Sequence, residues 1–251
     1  MKVAIDIRKS LEENANSYYE KAKKARKKIE GVRAILARVG RQALEKEPDK
    51  EAVPQPGRQR EWFEKFRWFI SSDGFLVIGG RDATTNEILI KKHTEGQDIV
   101  FHTDMAGSPF FVIKTGGKSV PPQSMQEAAD ATAIFSRAWK LGLQSIQVFH
   151  VKPEQVSKKA RAGEYLQKGA FMIYGKTSYL TGTITAAIGT KGQMVMCGPS
   201  SAIKKNAANA VYIRQGSGKA SDIARKLKAR LQADIDEIIR ALPSGGIELE
   251  H

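Results

Sequence analysis

Residues 67–80, RWFISSDGFLVIGG, read as two short apolar strands with a polar reversal between them. Ser72-Asp73-Gly74 supplies residues that tolerate a tight turn, so Arg67 to Ser71 and Phe75 to Gly79 form a hairpin. Gly79-Gly80 then breaks the second strand. Upstream, Trp62, Phe63 and Phe66 open the same apolar block. Downstream, Thr84 with Glu87 three residues later suggests a capping box for a short helix to Lys92. Asp98 to His102 and Pro109 to Lys114 read as strands around a turn at Met105-Ala106-Gly107-Ser108. A helix is predicted from Pro121-Pro122 to about Leu141, with Ala128, Ala131, Ile134, Phe135, Ala138 and Trp139 inward. Ser145 to Val151, Ala170 to Tyr174, Ile184 to Ile188, Met194 to Cys197 and Val211 to Arg214 read as further strands. A helix from Ser221 to about Leu242 closes the pattern, its stripe Ile223, Leu227, Leu231, Ile235, Ile238 and Leu242 facing the sheet. Strands joined mostly by hairpins, with few helices between them, predict an α+β domain with a largely antiparallel sheet and flanking helices.

The first 47 residues obey a different period. Leu11, Ala15, Tyr18, Ala22, Ala25, Ile29, Val32, Leu36, Val39 and Ala43 recur in alternating steps of four and three, the a/d seam of a coiled-coil helix. Ser10 with Glu13 marks its start as a capping box. Lys21, Lys23, Lys24, Arg26, Lys27 and Lys28 crowd two turns off the seam; they read equally as a solvated flank or as a basic rod on a phosphate backbone. Residues 48–60, with three prolines in PDKEAVPQPG, form a linker. The organisation is thus a helix over 1–47, a linker over 48–60, an α+β domain over 61–216, and a C-terminal helix and tail over 217–246. Leu249, Glu250 and His251 resemble a purification-tag remnant over 249–251 and are set aside.

Across 251 residues, 41 Lys and Arg against 27 Asp and Glu leave a formal charge of +14. A balance so basic points to a polyanion, with nucleic acid ahead of membrane. No apolar run approaches a membrane span, and the N-terminus has no signal-peptide stretch. The single cysteine, Cys197, excludes an internal disulfide and a Cys-rich zinc site, so a reducing, cytoplasmic setting is expected. No Walker, GxGxxG, HExxH or GxSxG motif occurs, and no cofactor is expected.

The strongest functional stretch is Val156 to Tyr179, VSKKARAGEYLQKGAFMIYGKTSY. Lys158, Lys159, Arg161, Lys168 and Lys176 alternate with Tyr165, Phe171, Tyr174 and Tyr179. Cations meet phosphates while rings stack on unpaired bases, the mixture that a single-stranded or looped RNA surface uses. Gly163 and Gly169 permit close backbone approach. The plainer reading is a solvated basic loop before a core strand. Arg81 is free to reach a phosphate or a carboxylate, while Asp82 can cap the following helix. His102 and Asp104, two apart, would share one strand face and could act as base and orienter or as metal ligands. With no third ligand nearby, a structural pair beside a turn is the better reading. Lys226, Lys228 and Arg230 read as the exposed face of the last helix.

Taken in order, several of these stretches resemble one family. They are Trp62 to Ser72 (WFEKFRWFISS), Gly79-Gly80-Arg81-Asp82 with Asn86-Glu87, His102-x-Asp104-x-x-Gly107, Ser157-Lys158, Gly163-Glu164-Tyr165-Leu166, and Gly169-x-Phe171-Met172-Ile173. Together they resemble the NFACT-R domain of archaeal-type NFACT proteins, which are ribosome-associated quality-control factors. Asn14-Ala15-Asn16-Ser17-Tyr18-Tyr19 and the Lys-rich turns after it are similar to the returning arm of that family's coiled coil. The resemblance spans about residues 1–190. It implies binding to obstructed large ribosomal subunits through rRNA, engagement of tRNA, and support for untemplated C-terminal tailing of stalled chains. It also implies that an outgoing arm, absent from this sequence, covers the apolar seam. It carries over no catalytic residue. Asp82, Asn86, His102, Asp104, Gly107, Gly163 and Glu164 stand as candidate contacts only, and a non-enzymatic RNA-binding module is expected. Rival readings are an RNA nuclease or modifying domain using His102, Asp104 and Glu164, and a coiled-coil protein scaffold.

A wet seam should drive association. At about 25 cal/mol per Å² of apolar area, covering Leu11 to Ala43 is worth several kcal/mol, so a homodimer through this helix, antiparallel in sense, is expected of this chain. Sedimentation beside a version starting at Arg58 checks this: the larger species should vanish with the helix. A monomeric parent, or a dimer that survives the deletion, would contradict it.

Overall fold

The structure, a computed structural model, describes residues 4–8, 10–45 (side chains to Arg33), 60–158 and 168–250. It divides into two units, Met1–Gln59 and Arg60–His251.

The first unit is one long helix, α1 (Leu11–Glu45). Its start is built as the Ser10–Glu13 pair requires: Glu13 N–H donates to Ser10 Oγ at 3.1 Å and Ser10 N–H to Glu13 Oε2 at 2.9 Å. Asn14 and Tyr18, two of the motif residues, fasten the preceding chain. Asn14 accepts from Asp6 N–H at 2.9 Å and donates to the Asp6 carbonyl at 3.0 Å, and the Tyr18 hydroxyl donates to the Ala4 carbonyl at 2.6 Å. Along the seam Leu11, Tyr18, Ile29 and Val32 are exposed.

The second unit is α+β. The expected hairpin is present as β1 (Arg67–Ile70) and β2 (Leu76–Gly79), paired from Arg67↔Gly79 to Ile70↔Leu76. The next elements are α2 (Ala83–Lys92), β3 (Ile99–His102), β4 (Phe111–Lys114), α3 (Pro122–Ile134), α4 (Arg137–Lys140) and β5 (Ser145–Val151). After the short β6 (Val156–Ser157) and β7 (Met172–Ile173) comes β8 (Ser178–Thr183), which completes an antiparallel sheet of order β1-β2-β4-β3-β5-β8. The remaining elements are β9 (Ala186–Lys191), β10 (Met194–Pro199), α5 (Ser200–Asn206), β11 (Ala208–Gly218), α6 (Ala220–Leu231), α7 (Ile235–Ala241) and β12 (Ile247–Leu249). They build a second sheet, β10-β9-β11-β12.

Both long helices predicted in this unit are broken. Ser136 ends the first: its Oγ accepts from Ala138 N–H at 3.0 Å and caps α4, while Phe135 stays in the core. Gln232 ends the second, with a left-handed φ of +49°, and Asp234 then caps α7. The apolar stripe keeps its phase across that break, which is why periodicity alone reads it as one helix. Three strands were not predicted, β6, β8 and β12, and neither was the seven-residue α5. Leu249, set aside above as a tag residue, pairs with Ile213 in β12, and Glu250 N–H donates to the Tyr212 carbonyl at 3.0 Å. His251 lies outside the described residues.

The core centres on α3, which lies across the first sheet and also meets β10 of the second. Ala128, Ala129, Ala131 and Ala133 are buried, since only small side chains let a helix approach two layers so closely. Gly182 serves the same contact, for a Cβ there would sit 2.6 Å from the Ala129 carbonyl. Glu127, also on α3, is fully buried. It accepts from Ser72 N–H at 2.7 Å, Ser72 Oγ at 2.5 Å, Ser201 Oγ at 2.8 Å and Gln123 Nε2 at 3.1 Å, tying the hairpin turn, α3 and α5 together. A buried acceptor with this many donors cannot be removed cheaply. Glu127→Ala should cost about 2–4 kcal/mol, read as a lower urea midpoint at unchanged slope. An unchanged midpoint would show that the node is dispensable.

Candidate nucleic-acid interface

Two glycines begin the site. A Cβ at Gly79 would lie 2.4 Å from the Phe111 ring, and one at Gly80 would lie 1.8 Å from Asn86 Oδ1. That approach lets Gly80 N–H donate to the Phe110 carbonyl at 3.0 Å while buried Asn86 accepts from Phe110 N–H at 3.1 Å. Asn86 thus fastens α2 to the chain entering β4. Asp82 caps α2, accepting from Thr85 N–H at 2.8 Å, and this hydrogen bond first of all holds its carboxyl below the usual range. Thr85, rather than Glu87, completes the capping box, because the cap is Asp82 and the helix starts two residues earlier than a Thr84 cap would place it.

Arg81 corrects the expectation of a free cation. Its guanidinium donates to the carbonyls of Phe66 at 2.8 Å, Lys65 at 3.1 Å and Glu64 at 3.5 Å, and to that of Arg240. Burial, then Arg240, lowers its pKa to about 10. Arg67 is clasped in the same way, donating to the Leu242 carbonyl at 3.0 Å and lying over the Phe135 ring; burial, then Arg81, lowers it to about 10. Both arginines hold the C-terminal segment to the hairpin.

His102 and Asp104 do not share a strand face. β3 ends at His102, and residues 103–108 form a turn in which Gly107 takes a φ of +86°. Thr103 Oγ1 accepts from Met105 N–H at 3.1 Å and is hydrogen-bonded to Ser108 Oγ. His102 stacks on Phe110 at 4.1 Å, and its Nε2 lies 3.1 Å from the Ser108 carbonyl. Burial pushes the imidazole below the usual histidine range, so it is neutral near pH 7 and Nε2 carries the proton donated to Ser108. Asp104 is exposed, with the Tyr179 hydroxyl 3.5 Å away.

The stretch around 156–179 returns to this place. Gly169 has a φ of +81°, and a Cβ on it would lie 2.6 Å from Ala83 Cα, so the chain passes directly over the start of α2. Lys168 is exposed and draws Asp82 down further. Phe171 packs edge-on against Phe110 at 5.3 Å, with Lys158 Nζ 4.8 Å above its ring and 3.4 Å from Glu87. Lys176 is exposed, and its carbonyl accepts from Gln155 Nε2 at 2.9 Å. Tyr174 and Tyr179 expose much of their rings. Lys159, Arg161, Gly163, Glu164 and Tyr165 lie outside the described residues.

These pieces enclose a cleft of about 800 Å³. It gathers Arg81, Asp82, Asn86, His102, Asp104, Gly107 and Lys168, residues that are up to 87 positions apart in sequence, but not Lys158 or Lys176. It also brings in Arg137 and Lys140, which sequence reasoning missed because it placed them inside one long helix. The Ser136 cap turns both toward the cleft, where they are exposed, and neither forms an ion pair with a described residue. Among the described residues, no three His, Cys, Asp or Glu side chains come together in a metal-holding group, and no helix is long and apolar enough to cross a membrane.

Residues 65–175, which supply most of this cleft, match the family described as "NFACT protein RNA binding domain". The chain carries an NFACT-R domain. It is 41% identical to the archaeal Rqc2 homolog aRqcH of Methanocaldococcus jannaschii, over 99% of this chain and 40% of that protein. It is 38% identical to human ribosome quality control complex subunit NEMF, over 66% of this chain and 16% of that one. With subunit 2 of the Schizosaccharomyces pombe complex it shares 39% identity, over 51% and 13% of the respective chains. It therefore spans at most 40% of the length of these relatives. A solved structure of the C-terminal part of the Streptococcus suis fibronectin/fibrinogen-binding protein is similar at 20% identity, over 53% of this chain and 50% of that one, with a TM-score of 0.42, too slight a likeness to carry an argument.

Three half-buried histidines give the NFACT-R unit a pH signature. His93, His102 and His150 all lie below 6.5, each mainly through burial. The unfolded chain takes up protons that the folded chain resists, so stability is full above about pH 7 and falls as the pH drops through 6.5. Thermal unfolding from about pH 7.5 to 5.5 should show that fall, and His102→Gln should flatten it. A slope unchanged in the variant would mean that His102 titrates normally.

Proposed function

We propose that this chain is the RNA-binding part of a ribosome quality-control factor, one that engages obstructed large ribosomal subunits and tRNA in the cytoplasm and supports untemplated tailing of stalled chains. The observation that carries the reading is that the matched domain folds Arg81, Asp82, Asn86, His102, Asp104 and Gly107 of its motifs into one cleft edged by Arg137, Lys140 and Lys168. The formal charge of +14 supports the same polyanion partner.

The domain acts by binding, without catalysis of its own. Neutral His102 is held by the Ser108 carbonyl and not oriented by Asp104, which argues against a base–orienter pair. The backbone clasps on Arg67 and Arg81 and the fastening role of Asn86 assign these polar groups to architecture.

Replacing Lys159, Arg161 and Lys168 together with alanine removes three phosphate partners from the basic stretch. Lys158 is left in place, since its contacts with Glu87 and Phe171 would confound the result. RNA affinity should fall almost uniformly across sequences, and the log–log salt slope should shrink by about two to three units. An unchanged slope would move the phosphate contacts elsewhere.

A further inference from the structure

The cleft is chemically divided in a way that phosphate binding alone does not explain. Arg137, Lys140 and Lys168 are exposed cations, as a backbone-binding edge requires. Asp104 lies in the same lining, exposed on the 103–108 turn, and repels phosphate. It forms no ion pair with a described residue, and Tyr179 offers it a hydroxyl at 3.5 Å. Phe110, Phe149 and Phe171 add apolar surface to the same lining. About 800 Å³ lies within the range of sites that enclose a small organic ligand.

We propose that this cleft seats one unpaired guanine of the RNA, base inward, with Asp104 reading its Watson–Crick edge. The proposal rests on the RNA-binding reading above. An ionised carboxylate only accepts hydrogen bonds and pairs best with two parallel donors. Guanine alone among the four bases offers that fork, N1–H beside the 2-amino group. Adenine and cytosine have one amino group next to an acceptor nitrogen, and uracil has one N–H between two carbonyls. Guanine also presents O6 and N7, acceptors suited to arginine or lysine, and the exposed Arg137, Lys140 and Lys168 line the cleft. The phosphates then follow the cations, and the carboxylate meets the one group that does not repel it. A base stacked and paired within a duplex cannot present this edge, so the target is a loop, bulge or single strand.

The test is fluorescence anisotropy of the full chain with an oligouridylate of about eight nucleotides carrying one central guanosine, adenosine, cytidine or inosine. A blunt duplex holding the same guanosine in a pair is the further probe. Inosine removes only the 2-amino group. The guanosine oligomer should bind about tenfold tighter than the other three and than the duplex. Asp104→Asn, a near-isosteric change at an exposed turn, should erase the difference between guanosine and inosine. Arg137→Ala with Lys140→Ala should weaken all oligomers and leave the guanosine-to-inosine ratio intact, since those two bases share O6 and N7. Equal binding of guanosine and inosine, or a preference that survives Asp104→Asn, overturns the proposal while salt-dependent binding keeps the RNA reading standing. No binding to any of these RNAs overturns the RNA reading and the proposal with it.

Discussion

The absence of a side chain at Gly80 decides where the cleft is. Asn86 Oδ1 occupies the space a Cβ would take, and from there it holds the backbone of Phe110. With Gly80 N–H on the Phe110 carbonyl, the two hydrogen bonds lock the end of β2, the body of α2 and the entry to β4 into one junction. Asp82 then stands at the α2 cap, Phe110 stacks on His102, and Gly169 has a path over Ala83. Each cleft wall depends on this junction. An alanine at position 80 would have to displace Asn86 and would release the other contacts with it.

The polar groups that organise the domain are buried or half-buried and are satisfied by other parts of the chain. Glu127 gathers donors from Ser72, Gln123 and Ser201, Asp98 pairs with Lys114 and caps the 95–98 turn, and the two clasped arginines close the C-terminal segment on the hairpin. Removing one partner from such a node leaves the others desolvated and unpaired, so these residues are intolerant of change for reasons of folding. Within the cleft lining, the exposed cations left outside these nodes are Arg137 and Lys140 of α4 and Lys168. Net charge brings an RNA near; the mixed lining of the cleft governs what enters.

Much of the architecture was legible because local chemistry and global fold agree. The Ser72-Asp73-Gly74 turn, the strand Ser145–Val151 and the Ser10–Glu13 cap form where the sequence places them. The two helix misreadings share one cause. Ser136 and Gln232 interrupt helices without interrupting the apolar period, so a pattern of buried positions cannot show them. At the site, the motif residues were visible as motifs, but their roles were not. Arg81 looks free until Arg240, 159 positions away, supplies a carbonyl, and Arg137 looks like a helix surface until the helix breaks. Long-range pairing decides such roles, and spacing in sequence carries no record of it.

The central claim is that RNA enters this cleft. Ultraviolet crosslinking of the chain to large ribosomal subunits, with the joined RNA sequenced and the joined peptides mapped, tests it directly. The account predicts crosslinks to rRNA or tRNA from the 103–108 turn, α4 and residues 168–179. Crosslinks confined to α1, or none at all above background, would contradict it.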